Sequence, residues 1–252
     1  MNLTVAQLQA IMPRLPAARA ADYLPHVNAA MVEFGISSPA RMAAFLAQLA
    51  HESGELRWWE EGPHKMPVDG CRMCLRWWNW HDKPEGHPAG AQYEDRQDLG
   101  NTEPGDGVKF KGRGPLQITG RANYRAVSLG LKLDQGMGAS MVHQPGAQTF
   151  LERYPERLLE PALGFRASAW FWGTHSVSRL PGIAPGKVSL NEAADAVEGH
   201  WALDHVHIAT ACFDAISRAL NGGLNGASER WAYYLRAREV LGQPQHEEEG
   251  RA

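Results

Sequence analysis

An apolar helix followed directly by a glycine is the feature of this chain that most restricts its fold. The segment Phe45-Leu-Ala-Gln-Leu-Ala-His-Glu-Ser-Gly54 forms the second half of a helix that we predict from Pro39 to Ser53. Its apolar residues recur at the spacing that lines one helical face. At 100° per residue, Glu52 lies about 20° from Phe45, so its carboxyl is expected on the buried side. Burial favours the protonated form of a carboxyl, which suits a general acid. A glutamate that meets solvent at a helix end is the alternative.

A second acidic site, Glu60-Glu61, follows this helix. An unbroken helix would place Glu61 about 180° around from Glu52 and about 13.5 Å along the axis. Gly54 is typical of the residue just past a helix end, so we predict a stop there and an extended segment over residues 56–61. The alternation of a strand then places on one face Arg57, Trp59 and Glu61, and on the other Leu56, Trp58 and Glu60.

In this arrangement either Glu60 or Glu61 is able to return towards Glu52. Two carboxyls that flank one cleft can cleave a glycosidic bond. A solvated acidic pair is the alternative interpretation.

Composition excludes several classes of protein. The chain has 252 residues and a formal net charge of −3, so it lacks the basic field of a nucleic-acid-binding protein. No apolar run approaches the roughly 20 residues of a membrane span, and no stable membrane association is expected. The N-terminal sequence lacks the basic start and apolar core of a signal peptide. We therefore expect synthesis in a bacterial cytoplasm. The three cysteines do not form a disulfide framework.

The predicted organisation is mostly α-helical, with one domain over residues 1–242 and a disordered acidic tail over 243–252. Helical periodicity predicts helices at 4–12, 17–34, 39–53, 121–130, 161–174, 190–198, 204–220 and 227–241. Residues 62–110 are rich in Gly, Pro, Trp and charge, and are predicted to be an irregular excursion that forms part of one lobe. The core is expected to include Trp170, Phe171 and Trp172.

A glycine-rich segment, residues 109–124, carries the next candidate site. Gly112 and Gly114 permit close backbone approach, but the spacing matches neither phosphate-binding signature. Residues 116–119 alternate apolar and polar side chains, as on a short half-buried strand. Such a strand would place Gln117 and Thr119 on one surface, where they can hold a sugar or orient a water. A polar strand face without function is the alternative.

Three segments together resemble the signatures of glycoside hydrolase family 19, and in particular its bacteriophage and prophage endolysins, which are relatives of plant-type chitinases. They are His51-Glu-Ser-Gly54, Gly112-Arg-Gly-Pro-Leu-Gln-Ile-Thr-Gly120 with Asn123-Tyr124, and Leu220-Asn-Gly-Gly-Leu-Asn-Gly226. Asn101-Thr-Glu-Pro-Gly-Asp-Gly107 and the N-terminal region through Ile36 also fit that branch. The resemblance runs from about residue 3 to 242. The Gly62-Pro63 after Glu61 departs from it, because an asparagine-containing continuation is expected there.

The resemblance implies a two-lobed, lysozyme-like domain with a small β-element at the cleft, an inverting mechanism, and no metal or organic cofactor. It assigns Glu52 as general acid, Glu61 rather than Glu60 as general base, and Thr119 as a residue that helps to hold the water. Substrate-binding or carboxylate-orienting roles are implied for Gln117, Asn123, Tyr124, Asn221, Arg113 and Arg230. His51 is expected to be a hydrogen-bonded neighbour of the site. In an inverting enzyme the two carboxyls lie roughly 6.5–9.5 Å apart.

The excursion contains residues that these signatures do not use. Cys71 and Cys74 with His81 and His87 offer a weak structural zinc pattern, against which unligated thiols or a labile disulfide are favoured. A second group of residues, Trp77, Trp78 and Trp80, either stacks on sugar rings or forms a local hydrophobic plug.

The resulting hypothesis is a monomeric endolysin that hydrolyses β-1,4 bonds of peptidoglycan. It would need a holin or a secretion system to reach the wall in the periplasm. A chitinase and an antibacterial effector delivered between bacteria share this chemistry. The alternative from a different class is a non-catalytic glycan-binding protein on the same scaffold, since a fold does not guarantee activity.

Overall fold

The computed structural model describes residues 2–63, 88–135, 147–181, 183 and 186–243. These residues are mostly helical, which confirms the predicted fold class. The α-helices are α1 (Val5–Ile11), α2 (Ala17–Glu33), α3 (Pro39–Glu52), α4 (Asp106–Lys109), α5 (Arg121–Gly130), α6 (Phe150–Arg153), α7 (Pro161–Thr174), α8 (Leu190–Ala202), α9 (Val206–Asn221) and α10 (Ala227–Val240). Within the same described residues, three short 3₁₀ helices span Ala91–Tyr93, Gln97–Leu99 and Pro155–Leu159. The strands β1 (Ser176–Val177) and β2 (Val188–Ser189) pair antiparallel, with Ser176 opposite Ser189.

Side-chain caps fix several helix starts. Thr4 and Ser189 each form a reciprocal capping box with the residue three positions on, at the starts of α1 and α8. The Ser38 side chain accepts a hydrogen bond from the Arg41 amide, and Pro39 occupies the first turn of α3. Such caps satisfy amide groups that have no partner within the helix, so they define where each helix begins.

Contacts between residues divide the chain into two compact units: residues 1–57 with 169–252, and residues 58–168. In the first unit α3 forms the core, because all its residues from Met42 to Ala50 are buried. Helices α8 and α10 pack against it. Phe45 meets Trp172 edge to face at 5.6 Å. Trp172 is a core residue as predicted, whereas Trp170 and Phe171 are only partly buried.

The second unit is organised around buried carboxylates. Glu94 accepts hydrogen bonds from the amides of Gly105 and Gly107 at 2.6 and 2.9 Å. Asp106 pairs with Arg121, whose other nitrogen lies 3.4 Å from Glu152. Each of these acids satisfies backbone amides or an arginine, as buried charges require. Residues 88–110 of the predicted excursion therefore contain two 3₁₀ helices and α4, joined by turns.

Two local predictions are wrong. Residues 116–119 do not form a strand. Residues 114–117 form a tight turn, and the Arg113 and Ile118 backbones exchange hydrogen bonds of 3.1 and 2.9 Å across it. Gln117 lies in this turn with φ of +52°. The extended segment after α3 begins at residue 58 and not at 56, because Gly54, Glu55 and Leu56 all have positive φ. From there, exposed Trp58 and Glu60 alternate with the less exposed Trp59 and Glu61.

Some predictions fall outside the described residues, namely those for Cys71, Cys74, Trp77, Trp78, Trp80, His81, His87 and the tail from 244 onwards. Among the helices that the structure describes, none has the length and apolar character needed to cross a membrane.

Candidate functional site

Glu52 is the last residue of α3 and lies in the first unit. Its side chain is 17% exposed, on the buried side of the helix as predicted. The predicted surroundings were apolar, but the buried guanidinium of Arg230 contacts Glu52 Oε1. Arg230 belongs to α10 and also donates to the Asn225 carbonyl. A planar guanidinium held at both ends fixes the orientation of its carboxylate partner, which is the role predicted for Arg230.

The preceding residue, His51, makes a second link between the same two helices. His51 Nδ1 lies 2.8 Å from Glu229 Oε2, and Glu229 adjoins Arg230 in α10. The imidazole packs on Gly226, where a β-carbon would lie 2.1 Å from His51 Cε1. Gly226 also has φ of +75°, so both the contact and the conformation require glycine. His51 is a neighbour of the candidate acid, as predicted.

Glu61 lies in the second unit, in a polar setting. Its carboxylate accepts hydrogen bonds from Gln92 Nε2, from the Tyr93 hydroxyl at 3.3 Å and from the Gly112 amide at 3.2 Å. Burial, and then the charge of Glu61, raise the pKa of Tyr93, so Tyr93 stays a neutral donor. Sequence reasoning missed Gln92 and Tyr93. They lie in the excursion 31 and 32 residues beyond Glu61, and no local pattern marks them.

Gly112 brings Glu61 together with Gln117 and Thr119. A β-carbon at Gly112 would lie 2.8 Å from Gln117 Oε1, 3.3 Å from Thr119 Oγ1 and 3.5 Å from Glu61 Oε2. Gln117 Nε2 donates to the Gly114 carbonyl, and the Thr119 hydroxyl donates to the Gln117 carbonyl. Gln117 and Thr119 therefore lie on a common surface, as predicted, but a turn and not a strand brings them together.

The three side-chain oxygens around Gly112 are hydrogen-bond acceptors: Gln117 Oε1, Thr119 Oγ1 and Glu61 Oε2. We call this group the acceptor cluster. The Thr119 hydroxyl hydrogen and one amide hydrogen of Gln117 are used by backbone carbonyls, whereas the Oε1 and Oγ1 oxygens can accept hydrogen bonds. Such a cluster suits a molecule with two or more O–H groups, such as a water or a sugar.

Glu60 occupies a different environment from Glu61. Its carboxylate pairs with Lys111 at 3.1 Å and with Arg113 at 3.0 Å. Although burial acts to raise the pKa of Glu60, these two cations outweigh it and lower the pKa. Arg113 thus orients Glu60 and not Glu61. Of the two neighbouring glutamates, only Glu61 joins the acceptor cluster.

The prediction that Tyr124 binds substrate is wrong. Tyr124 is fully buried, with its ring against Phe110. Its hydroxyl donates to the Lys111 carbonyl at 2.6 Å and accepts from Arg113 at 3.1 Å. Burial raises the pKa of Tyr124, so it remains neutral and supports the chain on either side of Gly112.

The remaining predicted residues lie at two helix ends. Asn123, near the start of α5, donates through Nδ2 to the Thr119 carbonyl at 2.8 Å. This bond holds the backbone of a residue that belongs to the acceptor cluster. Asn221 is the exposed last residue of α9, in the first unit.

Comparison with known proteins supports the resemblance found in the sequence. No protein-family profile matches the chain. A glycosyl hydrolase family 19 domain-containing protein of Haemophilus influenzae is 23% identical over 215 residues, which cover 82% of this chain and 84% of that protein. Chitinase C from Streptomyces griseus superposes with a TM-score of 0.56 at 20% identity, over 96% of this chain and 95% of that one. A bacterial family 19 chitinase gives 0.52 at 20% identity, over 96% and 95%. The predicted resemblance to family 19 and its mostly α fold are confirmed.

Proposed function

We propose that this chain is a glycoside hydrolase that cuts β-1,4 bonds between the amino sugars of bacterial peptidoglycan. The observation that carries the proposal is the acceptor cluster at Gly112, where a glutamate oxygen stands beside Gln117 Oε1 and Thr119 Oγ1. Glycoside hydrolysis by inversion requires a carboxylate that activates a water. A water that donates its two hydrogens to this cluster would keep a lone pair free for attack.

In this proposal Glu61 is the general base. Its hydrogen bonds from Gln92, Tyr93 and the Gly112 amide hold the carboxylate in place. It removes a proton from the attacking water while Thr119 and Gln117 orient that water. Tyr93 and Gln92 act through Glu61 and are positioning residues.

Glu52 is the proposed general acid, which transfers its proton to the leaving glycosidic oxygen. Arg230 contacts one carboxylate oxygen of Glu52, so the other oxygen is left to carry that proton. His51 and Glu229 form the second link between the two helices that carry Glu52 and Arg230.

The choice of peptidoglycan rests on sequence. The segments around Gly112 and Asn101 resemble the phage endolysins of family 19, which favours a lytic enzyme that reaches the wall through a holin or a secretion system. Chitin is the second candidate, since solved structures of similar fold are chitinases. Both polymers contain the N-acetylglucosamine unit.

Hydrolysis of purified peptidoglycan beside soluble chitin oligomers tests the proposal, with wild type and Glu52→Gln in parallel. New reducing ends are identified by mass spectrometry after borohydride reduction. We expect peptidoglycan fragments from wild type alone. Reduced muramic acid at their ends would define a muramidase, and reduced glucosamine a glucosaminidase.

Two other outcomes would contradict the proposal. Cleavage of chitin alone would make the chain a chitinase. Binding of either glycan without any cleavage would favour the glycan-binding alternative.

A further inference from the structure

A pocket of about 300 Å³ in the first unit lies apart from Glu52. Strand β1 and the two residues after it form one wall, and α9 forms the other. Its polar and small lining residues are Ser176, Ser178, Arg179, Ala215, Arg218 and Ala219. We call this site the arginine pocket.

The two arginines of the pocket have no counter-charge. Neither guanidinium has a hydrogen-bond or ion-pair partner among the residues that the structure describes, and no acidic side chain lines the pocket. Asp214 precedes Arg218 by one helical turn, but no ion pair joins them. Arg14 shows the contrast: it lines another pocket of this unit and is paired with Glu55 at 2.8 Å. Both arginines are exposed to solvent, so their guanidinium groups are available to an anion.

The walls of the arginine pocket add neutral donors and space. Ser176 and Ser178 alternate with the buried Val177, so they lie on the same side of the extended chain. Ala215 and Ala219 are four residues apart on α9 and therefore lie one above the other. Their short side chains leave room between the serines and the arginines. Guanidinium forks with hydroxyl donors suit a carboxylate, which accepts parallel hydrogen bonds.

The position of Arg218 connects the pocket to the glycan. Arg218 and Asn221 are three residues apart on α9 and share one helical face. Asn221 is the exposed residue predicted to contact the sugar chain. A carboxylate carried on a short branch of the glycan, close to a bound sugar, would therefore reach the pocket.

We propose that the arginine pocket binds the carboxylates of the peptide stems that branch from peptidoglycan glycan strands. This inference rests on the proposed function and narrows it, because chitin has no anionic branch. Arg179 and Arg218 would act as specificity residues that favour peptide-bearing strands over bare ones.

Kinetic measurements on two forms of one polymer test this proposal. Soluble peptidoglycan strands are compared before and after an amidase has removed their peptides, with wild type and the Arg179→Ala/Arg218→Ala double variant. We expect the ratio of kcat/KM between peptide-bearing and bare strands to fall at least about tenfold in the double variant, mainly through KM, because charge-assisted hydrogen bonds to the carboxylates are lost.

Arg153→Ala, which removes an exposed arginine of the second unit, is the charge control and should leave the ratio unchanged. An equal loss on both substrates, or no loss, would overturn the pocket assignment and leave the hydrolase proposal standing.

Direct binding keeps the test independent of catalysis. Calorimetry with a soluble disaccharide-peptide and with its methyl-esterified form measures the pocket even if no strand is cut. We expect esterification and the double variant each to weaken binding about tenfold or more, without an additive effect. Equal affinity for the acid and the ester would reject the inference. Loss of hydrolysis alone would reject only the proposed function.

Discussion

At the scale of single residues, the surroundings of Glu60 and Glu61 separate two side chains that the sequence places side by side. Glu60 neutralises Lys111 and Arg113, whereas Glu61 faces the acceptor cluster. We expect Glu61→Gln to lower kcat on peptidoglycan at least about 100-fold, the usual scale for loss of a general base. The matched variant Glu60→Gln should lower kcat less than about tenfold. Steady-state hydrolysis rates check this, and a larger loss from Glu60→Gln would reverse the assignment.

Gly112 gives a second prediction at this scale. A β-carbon there would press on Gln117 Oε1 and Thr119 Oγ1, which are side-chain tips able to move. We expect Gly112→Ala to lower kcat about 10- to 100-fold by displacing these groups, while the free energy of unfolding falls by only about 1 kcal/mol, the low end for an overpacked site. Urea unfolding and hydrolysis rates are measured on the same preparation. Full activity would show that the acceptor cluster does not hold the reacting water.

At the scale of elements, the turn after α3 depends on one buried acid. Glu55 has φ of +65° and is 2% exposed. Burial acts to raise the pKa of Glu55, but hydrogen bonds from the Arg14 amide, the Arg14 side chain and the Tyr233 hydroxyl outweigh it and lower the pKa below 4.5. A lowered pKa in the folded state contributes stability that is present above the unfolded-state pKa and is lost as the pH falls through the folded value.

We therefore expect Glu55→Gln to destabilise the protein by about 1–3 kcal/mol at pH 7. The difference from wild type should shrink as the pH falls below about 4.5. Urea unfolding at pH 7 and at pH 3 measures it, and Glu103→Gln, at an exposed site, is the control. A difference that does not change with pH would show that the charge of Glu55 is not what holds the turn.

The contact of α3 with the start of α10 gives a second prediction at this scale. Gly226 and Gly222 both have positive φ, +75° and +71°, but only Gly226 meets a neighbour, the ring of His51. Gly222→Ala therefore measures the backbone strain alone, about 1–2 kcal/mol. We expect Gly226→Ala to cost about 1–3 kcal/mol more, because a rigid imidazole must move. Equal unfolding free energies for the two variants would show that the His51 contact contributes nothing.

Sequence patterns predict the elements unequally well. The predicted helix over 161–174 matches α7 in full, and the helix over 39–53 ends one residue from α3, because many periodic residues contribute to each. The strand over 116–119 is wrong because alternation over four residues does not distinguish a strand from a turn. Gln117 has a positive φ, which the backbone pairing of Arg113 with Ile118 and the bonds of Gln117 to Gly114 stabilise. Short α4 and α6 carry too few periodic residues to be predicted.

At the scale of the whole molecule, the site depends on contacts between residues far apart in sequence. Arg230 reaches Glu52 across 178 residues, and Gln92 reaches Glu61 across 31. The carboxylate-orienting role of Arg230 is predicted only through the family resemblance. Nothing local in the sequence predicts that Gln92 and Tyr93 hold the base, or that Tyr124 is buried. The division of the chain between residues 57 and 58 and again between 168 and 169 also depends on long-range packing.

The stereochemistry of the product tests the proposed pairing of Glu52 with Glu61 as acid and base. If Glu52 protonates the leaving oxygen while Glu61 activates a water on the opposite face of the sugar, the β-linked substrate must give an α-anomer first. We expect proton NMR of the earliest products to show the α-anomeric signal before mutarotation. A first product with the β-anomer would indicate a covalent intermediate. Glu61 would then be the nucleophile, and the acceptor cluster would bind the sugar and not a water.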